Sequence, residues 1–175
     1  MSNRDIGQRV STPEELLAHA NKMERSAAIR YAELADQMEV HNNPELAEFL
    51  REMSRIEWGH VNDIDQLSDG INTEGASTKD RWSVLSGGEA PDYGDMHYLS
   101  QPHHVLKLAL DFEITNAKYY SEVAQKTEDT ELQELAKRLQ AEEEHHVVEL
   151  ESWLVRYPEP DLDWDEDMDA PVCQE

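Results

Sequence analysis

The chain has 175 residues, enough for one domain with a substantial core. Its 39 Asp and Glu against 15 Lys and Arg leave a formal net charge of −24, which repels phosphate backbones and excludes nucleic acid as an expected partner, while attracting cations. The single cysteine, Cys173, rules out an internal disulfide framework and a cysteine-ligated zinc or iron–sulfur site, and no stretch reaches the roughly 18 apolar residues of a membrane span.

The opening residues, MSNRDIGQRVSTPEE, hold no apolar stretch of the kind a signal peptide needs, so the expected location is the cytoplasm. Helical periodicity begins at "STPEELL" and predicts a first helix over about 12–40. Ser11 or Thr12 can cap it, Pro13 suits the first helical position, and Glu14 and Glu15 complement the dipole. Its inward stripe reads Leu16, Ala20, Met23/Glu24, Ala27, Tyr31, Leu34, Met38. "HNNP" ends that helix, and Asn43-Pro44 starts the second, over about 44–68. The second stripe is Leu46, Phe49/Leu50, Met53, Ile56/Glu57, His60, Ile64, Leu67.

Residues 69–101 hold most of the glycines and read as a long irregular crossover, with Trp82 and Leu85 available to pack back on the body. The third helix, about 102–127, carries Leu106, Leu110, Glu113, Ala117, Tyr120 and Val123/Ala124 inward. The fourth, about 129–156, carries Leu132, Leu135, Leu139, Glu142/Glu143, His146, Leu150 and Trp153/Leu154. Residues 158–175 form an acidic, proline-punctuated tail without a basic residue, expected to be disordered or to serve interactions. The expected fold is all-α: a four-helix bundle within residues 1–157, two antiparallel hairpins joined by a crossover that runs the length of the bundle.

Each stripe is interrupted at mid-helix by a polar residue: Glu24, Glu57 with His60, Glu113, and Glu143 with His146. Buried carboxylates converging on one layer need a compensating cation, and the stripes offer no Lys or Arg to supply it. Glu and His three apart on a helix project from one face with β-carbons about 5–6 Å apart, so each pair can ligate one metal side by side. Four carboxylates with two imidazoles are the ligand set of di-iron and di-manganese carboxylate bundles.

The chain also repeats itself. "MERSAAIRYAELA" (23–35) aligns with "FEITNAKYYSEVA" (112–124), placing Glu24 on Glu113 and Tyr31 on Tyr120. "IEWGHV" (56–61) aligns with "EEEHHV" (142–147), placing Glu57 on Glu143 and His60 on His146. Glu144 and His145 therefore belong to the solvated face, and Glu142 stands at the edge of the stripe as a possible participant.

On these motifs the chain resembles the ferritin-like di-iron carboxylate superfamily, and within it the rubrerythrin group without its rubredoxin domain. The resemblance implies two iron ions, with manganese or a mixed pair as alternatives. It implies Glu57 and Glu143 as bridging carboxylates, Glu24 and Glu113 as terminal ligands, and His60 and His146 on one metal each. Tyr31 and Tyr120 match tyrosines that hold ligand carboxylates in place. Asn116 stands where the family carries a further glutamate, which weakens a peroxidase assignment. With no cysteine-ligated domain, electrons would come from a separate donor or from Fe(II) itself.

The leading expectation is a di-iron oxidoreductase of ferroxidase or peroxidase type, taking O2 or H2O2 and serving oxidative-stress defence, in a homo-oligomer of two or more chains. Oxidation of a small organic substrate, which needs an apolar pocket beside the metals, is the alternative within enzymes. A scaffold or cargo protein acting through the acidic tail is the alternative outside them. His103 and His104 read as surface or capping residues, and Trp58 as packing between helices.

Overall fold

The computed structural model describes residues 10–68 and 101–160. The crossover with Trp82 and Leu85, and the tail beyond 160 with Cys173, lie outside the described residues. Four helices carry the described chain: α1 (Pro13–Val40), α2 (Pro44–Leu67), α3 (Pro102–Lys126) and α4 (Thr130–Leu154). These bounds fall within two residues of those expected from the sequence, because the caps themselves stand outside the helices. Thr12 accepts from the Glu15 amide at 3.2 Å, while Glu15 receives the Ser11 amide and hydroxyl at 2.8 and 3.0 Å. Asp129 caps α4 by accepting from the Leu132 amide at 2.8 Å. At α3 the cap is reciprocal between Gln101 and His104, so His104 is a capping residue, as the sequence suggested.

The α1–α2 turn shows why "HNNP" makes a tight hairpin. Asn42 takes a left-handed conformation, φ 58°, which asparagine tolerates better than most residues. The Asn42 amide then reaches the Glu39 carbonyl and the Asn43 amide the Met38 carbonyl at 2.8 Å, closing the helix end in a Schellman arrangement. Asn43 turns its side chain forward and accepts from the Leu46 amide at 3.2 Å, with Pro44 at the first helical position. One short segment ends a helix and starts the next.

Within the first hairpin the Ser54 hydroxyl donates to the Ala28 carbonyl at 2.7 Å, and Asn21 bonds Asp65 at 2.6 Å, so α1 and α2 run antiparallel. In the second, Gln133 donates to the Ala124 carbonyl at 3.0 Å, and His103 lies 2.9 Å from the Tyr157 carbonyl. Between hairpins, α1 meets α3 through Tyr31/Glu113 and Glu24/Tyr120. α2 meets α4 through Phe49 stacked on Trp153 at 4.4 Å and through Glu57/His146. Both cross-hairpin pairings are antiparallel, which leaves α2 and α3 parallel.

Two apolar clusters fill the interior. One gathers Tyr31, Leu34, Met38, Leu46, Leu50, Met53, Leu106 and Leu150. The other gathers Leu16, Met23, Ile64, Tyr120, Val123, Leu132 and Leu139. Leu46, Leu50, Leu106 and Leu150 are fully buried, each contributing about 1.5–3 kcal/mol. Burial on this scale lets the bundle hold a polar layer between its two apolar ends.

Candidate metal centre

That layer consists of the inward acids and histidines. Glu24 is 3% exposed, Glu57 and Glu113 0%, Glu143 2% and His146 3%. Each arrives there because a helical stripe places it one turn from a buried apolar neighbour: Ala20 and Ala27 flank Glu24, Met53 precedes Glu57, Leu110 precedes Glu113, and Leu139 precedes Glu143. His60 is brought to the same layer, yet its side chain keeps 21% of its surface in solvent. The repeat equates His60 with His146, and the structure makes them unequal in exposure.

Glu57 lies at the centre. Its Oε2 stands 3.2 Å from His60 Nδ1, and its Oε1 stands 3.0 Å from His146 Nδ1. One carboxylate thus reaches both imidazoles, whose rings stack at 5.3 Å and 15°. His60 Nδ1 lies 3.8 Å from Glu24 Oε2, and His146 Nδ1 lies 3.8 Å from both Glu113 Oε2 and Glu143 Oε2. The potential ligand atoms fall into two groups, Glu57/His60/His146 and Glu113/Glu143/His146, within 4.8 Å of one another. His146 belongs to both.

The tyrosines bind the layer from outside. Tyr31 on α1 donates to Glu113 Oε1 on α3, and Tyr120 on α3 donates to Glu24 Oε1 on α1 at 3.4 Å. Both phenols are buried, and burial followed by the neighbouring carboxylates pushes their pKa well above 10, so they act as hydrogen-bond donors.

Electrostatics record how costly the layer is without a cation. Burial, opposed by His60, raises Glu24 to about 8. Burial and then Glu113 raise Glu143 well above its ordinary 4.5. Burial is also the largest single influence on Glu57, but the imidazoles of His146 and His60 together outweigh it and bring this group down to about 2. Both histidines rise to about 10: burial opposes their charge, and the carboxylates facing them overcome it. Protons thus stand where metal charge would otherwise be.

Hydrogen bonding tests whether these residues suit a metal pair. Glu57 Oε1, Glu113 Oε2, Glu143 Oε2 and His146 Nδ1 are buried without a hydrogen-bond partner among the described residues. His146 and Glu57 come within 3.0 Å but off the line a hydrogen bond requires. Buried orphan atoms of this kind are rare in folded proteins. Here they cluster in one layer and are all hard oxygen or imidazole donors, which fits divalent iron or manganese.

Other sequence-derived candidates sort clearly. Glu144 and His145 are exposed. Glu142 keeps 39% of its side chain exposed, lies 4.0 Å from Arg138, and belongs to neither donor group. Asn116, by contrast, is 1% exposed, with an unpartnered Oδ1. Trp58 is a correction: it does not pack between helices but lies 40% exposed with the Arg25 guanidinium 5.7 Å from its ring centre. Burying its neighbour Glu57 turns the next helical position outward.

The sequence reading missed a polar network beside the layer. Asn21 bonds Asp65 at 2.6 Å, and Arg25 reaches Asn21 at 2.7 Å and Asp65 at 3.0 Å. Asn21 could have been noticed, since it sits one turn before Glu24 on the same face. Asp65 carries no local signal, because its role depends on the α1–α2 register.

The family model described as Rubrerythrin matches residues 15–154. A crystal structure of an uncharacterized conserved protein from Magnetospirillum magnetotacticum MS-1 is similar at 39% identity with a TM-score of 0.73, covering 86% of this chain and 99% of that one. No curated protein matches significantly. Among the described residues no helix is long and apolar enough to cross a membrane. The matched span contains all four helices but for the first two residues of α1, and every member of the polar layer, and the chain belongs to the rubrerythrin family of ferritin-like di-iron proteins.

Proposed function

We propose that this protein is a di-iron oxidoreductase that reduces O2 or H2O2, with manganese or a mixed pair as alternative metals. Glu24, Glu57, His60, Glu113, Glu143 and His146 hold the pair. The observation that carries the reading is the cluster of unpartnered buried donor atoms on Glu57, Glu113, Glu143 and His146. Glu57 faces both imidazoles, one from each oxygen, so it could hold a metal beside each. Glu143 takes the equivalent place in the second repeat, and Glu24 and Glu113 serve one position each.

When bound, an iron pair supplies one electron per ion to the O–O bond. The chain supplies the rest. Tyr31 and Tyr120 hold the Glu113 and Glu24 carboxylates by their Oε1 atoms, leaving each Oε2 3.8 Å from a histidine Nδ1, where it could ligate a metal. The two apolar clusters seal the layer from above and below, and His60 alone of the six ligands keeps a fifth of its side chain in water.

An apolar cleft between α1 and α3 is lined by Ala27, Arg30, Tyr31, Leu34, Ala109 and Phe112, and none of the six proposed ligands lines it. Its internal volume of about 10 Å³ holds roughly one water-sized molecule. Asn116 tilts the choice toward a ferroxidase, for which Fe(II) is both substrate and electron source. A peroxide reductase would need a separate electron donor.

Anaerobic Fe(II) titration followed by separate O2 and H2O2 additions tests the reading. Uptake of about two irons per chain is expected. Oxidation faster with O2 supports the ferroxidase, and oxidation faster with H2O2 supports the scavenger. A chain that takes up neither iron nor manganese refutes both.

A further inference from the structure

Two tyrosines stand side by side on α3, and the polar layer uses only one of them. Tyr120 is fully buried and donates to Glu24 Oε1 at 3.4 Å. Tyr119 is buried as well, and its ring meets that of Tyr120 edge-on, with centroids 5.4 Å apart and planes at 61°. On α1, the His19 ring lies 6.4 Å from that of Tyr119, tilted by 47°. His19 is half-buried, so it reaches solvent. Aromatic rings in series therefore run from the surface to a carboxylate of the layer: His19, Tyr119, Tyr120, Glu24.

Ring contacts at these spacings are ordinary packing. Their one-sidedness is not. The repeat sets Tyr31 opposite Tyr120, and both phenols bond a carboxylate of the layer. It sets Arg30 opposite Tyr119, and Arg30 faces Glu33 at 3.4 Å. The same bundle thus packs with or without an aromatic ring at this position, and only the second repeat extends its tyrosine outward. The proposed reaction has a use for that extension. An iron pair that has given one electron per ion must be reduced again, and the apolar clusters above and below the layer keep a large donor away from it.

We propose that His19, Tyr119 and Tyr120 form an electron-entry relay, carrying single electrons to the metal centre from a one-electron donor protein of the flavin or iron–sulfur class. This deepens the di-iron reading above and rests on it. In each transfer the donor loses one electron and one ferric ion gains it. Tyr120 gives its electron inward while its phenol O–H breaks and the proton crosses to Glu24 Oε1. The electron arriving through Tyr119 refills Tyr120, and the proton returns to re-form the O–H bond. Tyr119 and His19 keep their protons and serve as bridging rings, so nothing but the electron is consumed.

The test follows, in stopped flow, the bleaching of ferric absorbance when reduced methyl viologen meets the intact, iron-loaded, oxidised chain. Tyr119→Leu removes the bridging ring and should slow the bleaching by an order of magnitude or more. Tyr119→Phe keeps the ring and should bleach as the unaltered chain does. His19→Ala, at the half-buried end, should also slow it, and it carries the test if Tyr119→Leu fails to fold. All three variants should keep the Co(II) affinity and iron midpoint potential of the unaltered chain, because none removes a proposed ligand. Freeze-quench EPR after peroxide addition to the Fe(II)-loaded chain should show a phenoxyl radical, which viologen in a second mix removes more slowly in Tyr119→Leu. Unchanged bleaching in folded Tyr119→Leu or in His19→Ala overturns the relay. A Tyr119→Phe variant as slow as Tyr119→Leu overturns the bridging step, and absence of the radical overturns the Tyr120 step. An unaltered chain that takes up no iron overturns the di-iron reading, whereas iron-loaded variants that all bleach alike overturn the relay alone.

Discussion

Glu57 and Glu143, the two carboxylates proposed to bridge and equivalent in the repeat, should respond oppositely to the same substitution in the metal-free protein. Glu57 is held ionised by His146 and His60, its pKa brought from 4.5 to about 2. Because the folded value is depressed, this stabilisation is fully present above about pH 4.5 and is lost as pH falls toward 2. The shift corresponds to about 3 kcal/mol at neutral pH. Glu57→Gln removes it and leaves His146, 3% exposed, facing Glu113 and Glu143 only at 3.8 Å. A loss of about 3 kcal/mol lowers the melting temperature of a chain this size by about 6–12 °C. Glu143 is instead held protonated by burial and by Glu113, so an amide of the same shape resembles its resting form. Glu143→Gln should change metal-free stability by less than about 1 kcal/mol. Metal then reverses the symmetry. A divalent ion at 100-fold its Kd stabilises the parent by about 2.7 kcal/mol, a rise of about 5–11 °C, and both variants should lose most of that rise. Thermal denaturation of three proteins, with and without Mn(II), decides it. Equal destabilisation of the two metal-free variants would refute the protonation pattern, and an undiminished Mn(II) shift in Glu143→Gln would refute its place in the site.

Metal uptake should release protons. At pH 7 Glu24 (about 8), His60 and His146 (both about 10) are protonated in the metal-free fold, burial and Glu113 shift Glu143 in the same direction, and a ligating carboxylate or imidazole gives up its proton. Roughly three protons per chain are expected from Glu24, His60 and His146, with Glu143 adding to the release. Because ligand and proton compete, affinity should rise with pH up to about 10, the value of the two imidazoles; calorimetry in buffers of different ionisation enthalpy measures the count, and zero release contradicts the assignment. Tyr31→Phe frees Glu113 and should weaken metal binding about 10–100-fold, more than Tyr120→Phe, whose bond to Glu24 is long at 3.4 Å; equal effects in an equilibrium metal competition would contradict the geometry. Asn42→Val forces a β-branched side chain into φ 58° and should cost about 1–2 kcal/mol, whereas Asn42→Gly should hold or raise stability; urea midpoints would show the reverse if the turn re-forms differently.

Much of this protein is written locally. Helical periodicity fixes which side of each helix is apolar, and Thr12, Asn43 and Asp129 announce three helix starts through their own side-chain chemistry. The short "HNNP" turn and the long gap before Pro102 determine the order of hairpin, crossover, hairpin. The repeat selects Glu143 and His146 from the run of five polar residues at 142–146, because a residue's face on a helix depends only on its position along it. What local pattern does not contain is register between helices. Only the packed bundle decides that Tyr31 reaches Glu113 rather than another acid, that Asp65 ties Asn21 and Arg25 together, and that Trp58 lies at the surface. Only the bundle leaves His60 a fifth exposed while its repeat partner His146 is closed, and leaves Asn116 buried with an unsatisfied oxygen. Exposure and hydrogen-bond satisfaction depend on what a neighbouring element places opposite a residue, and that is a property of the assembled fold.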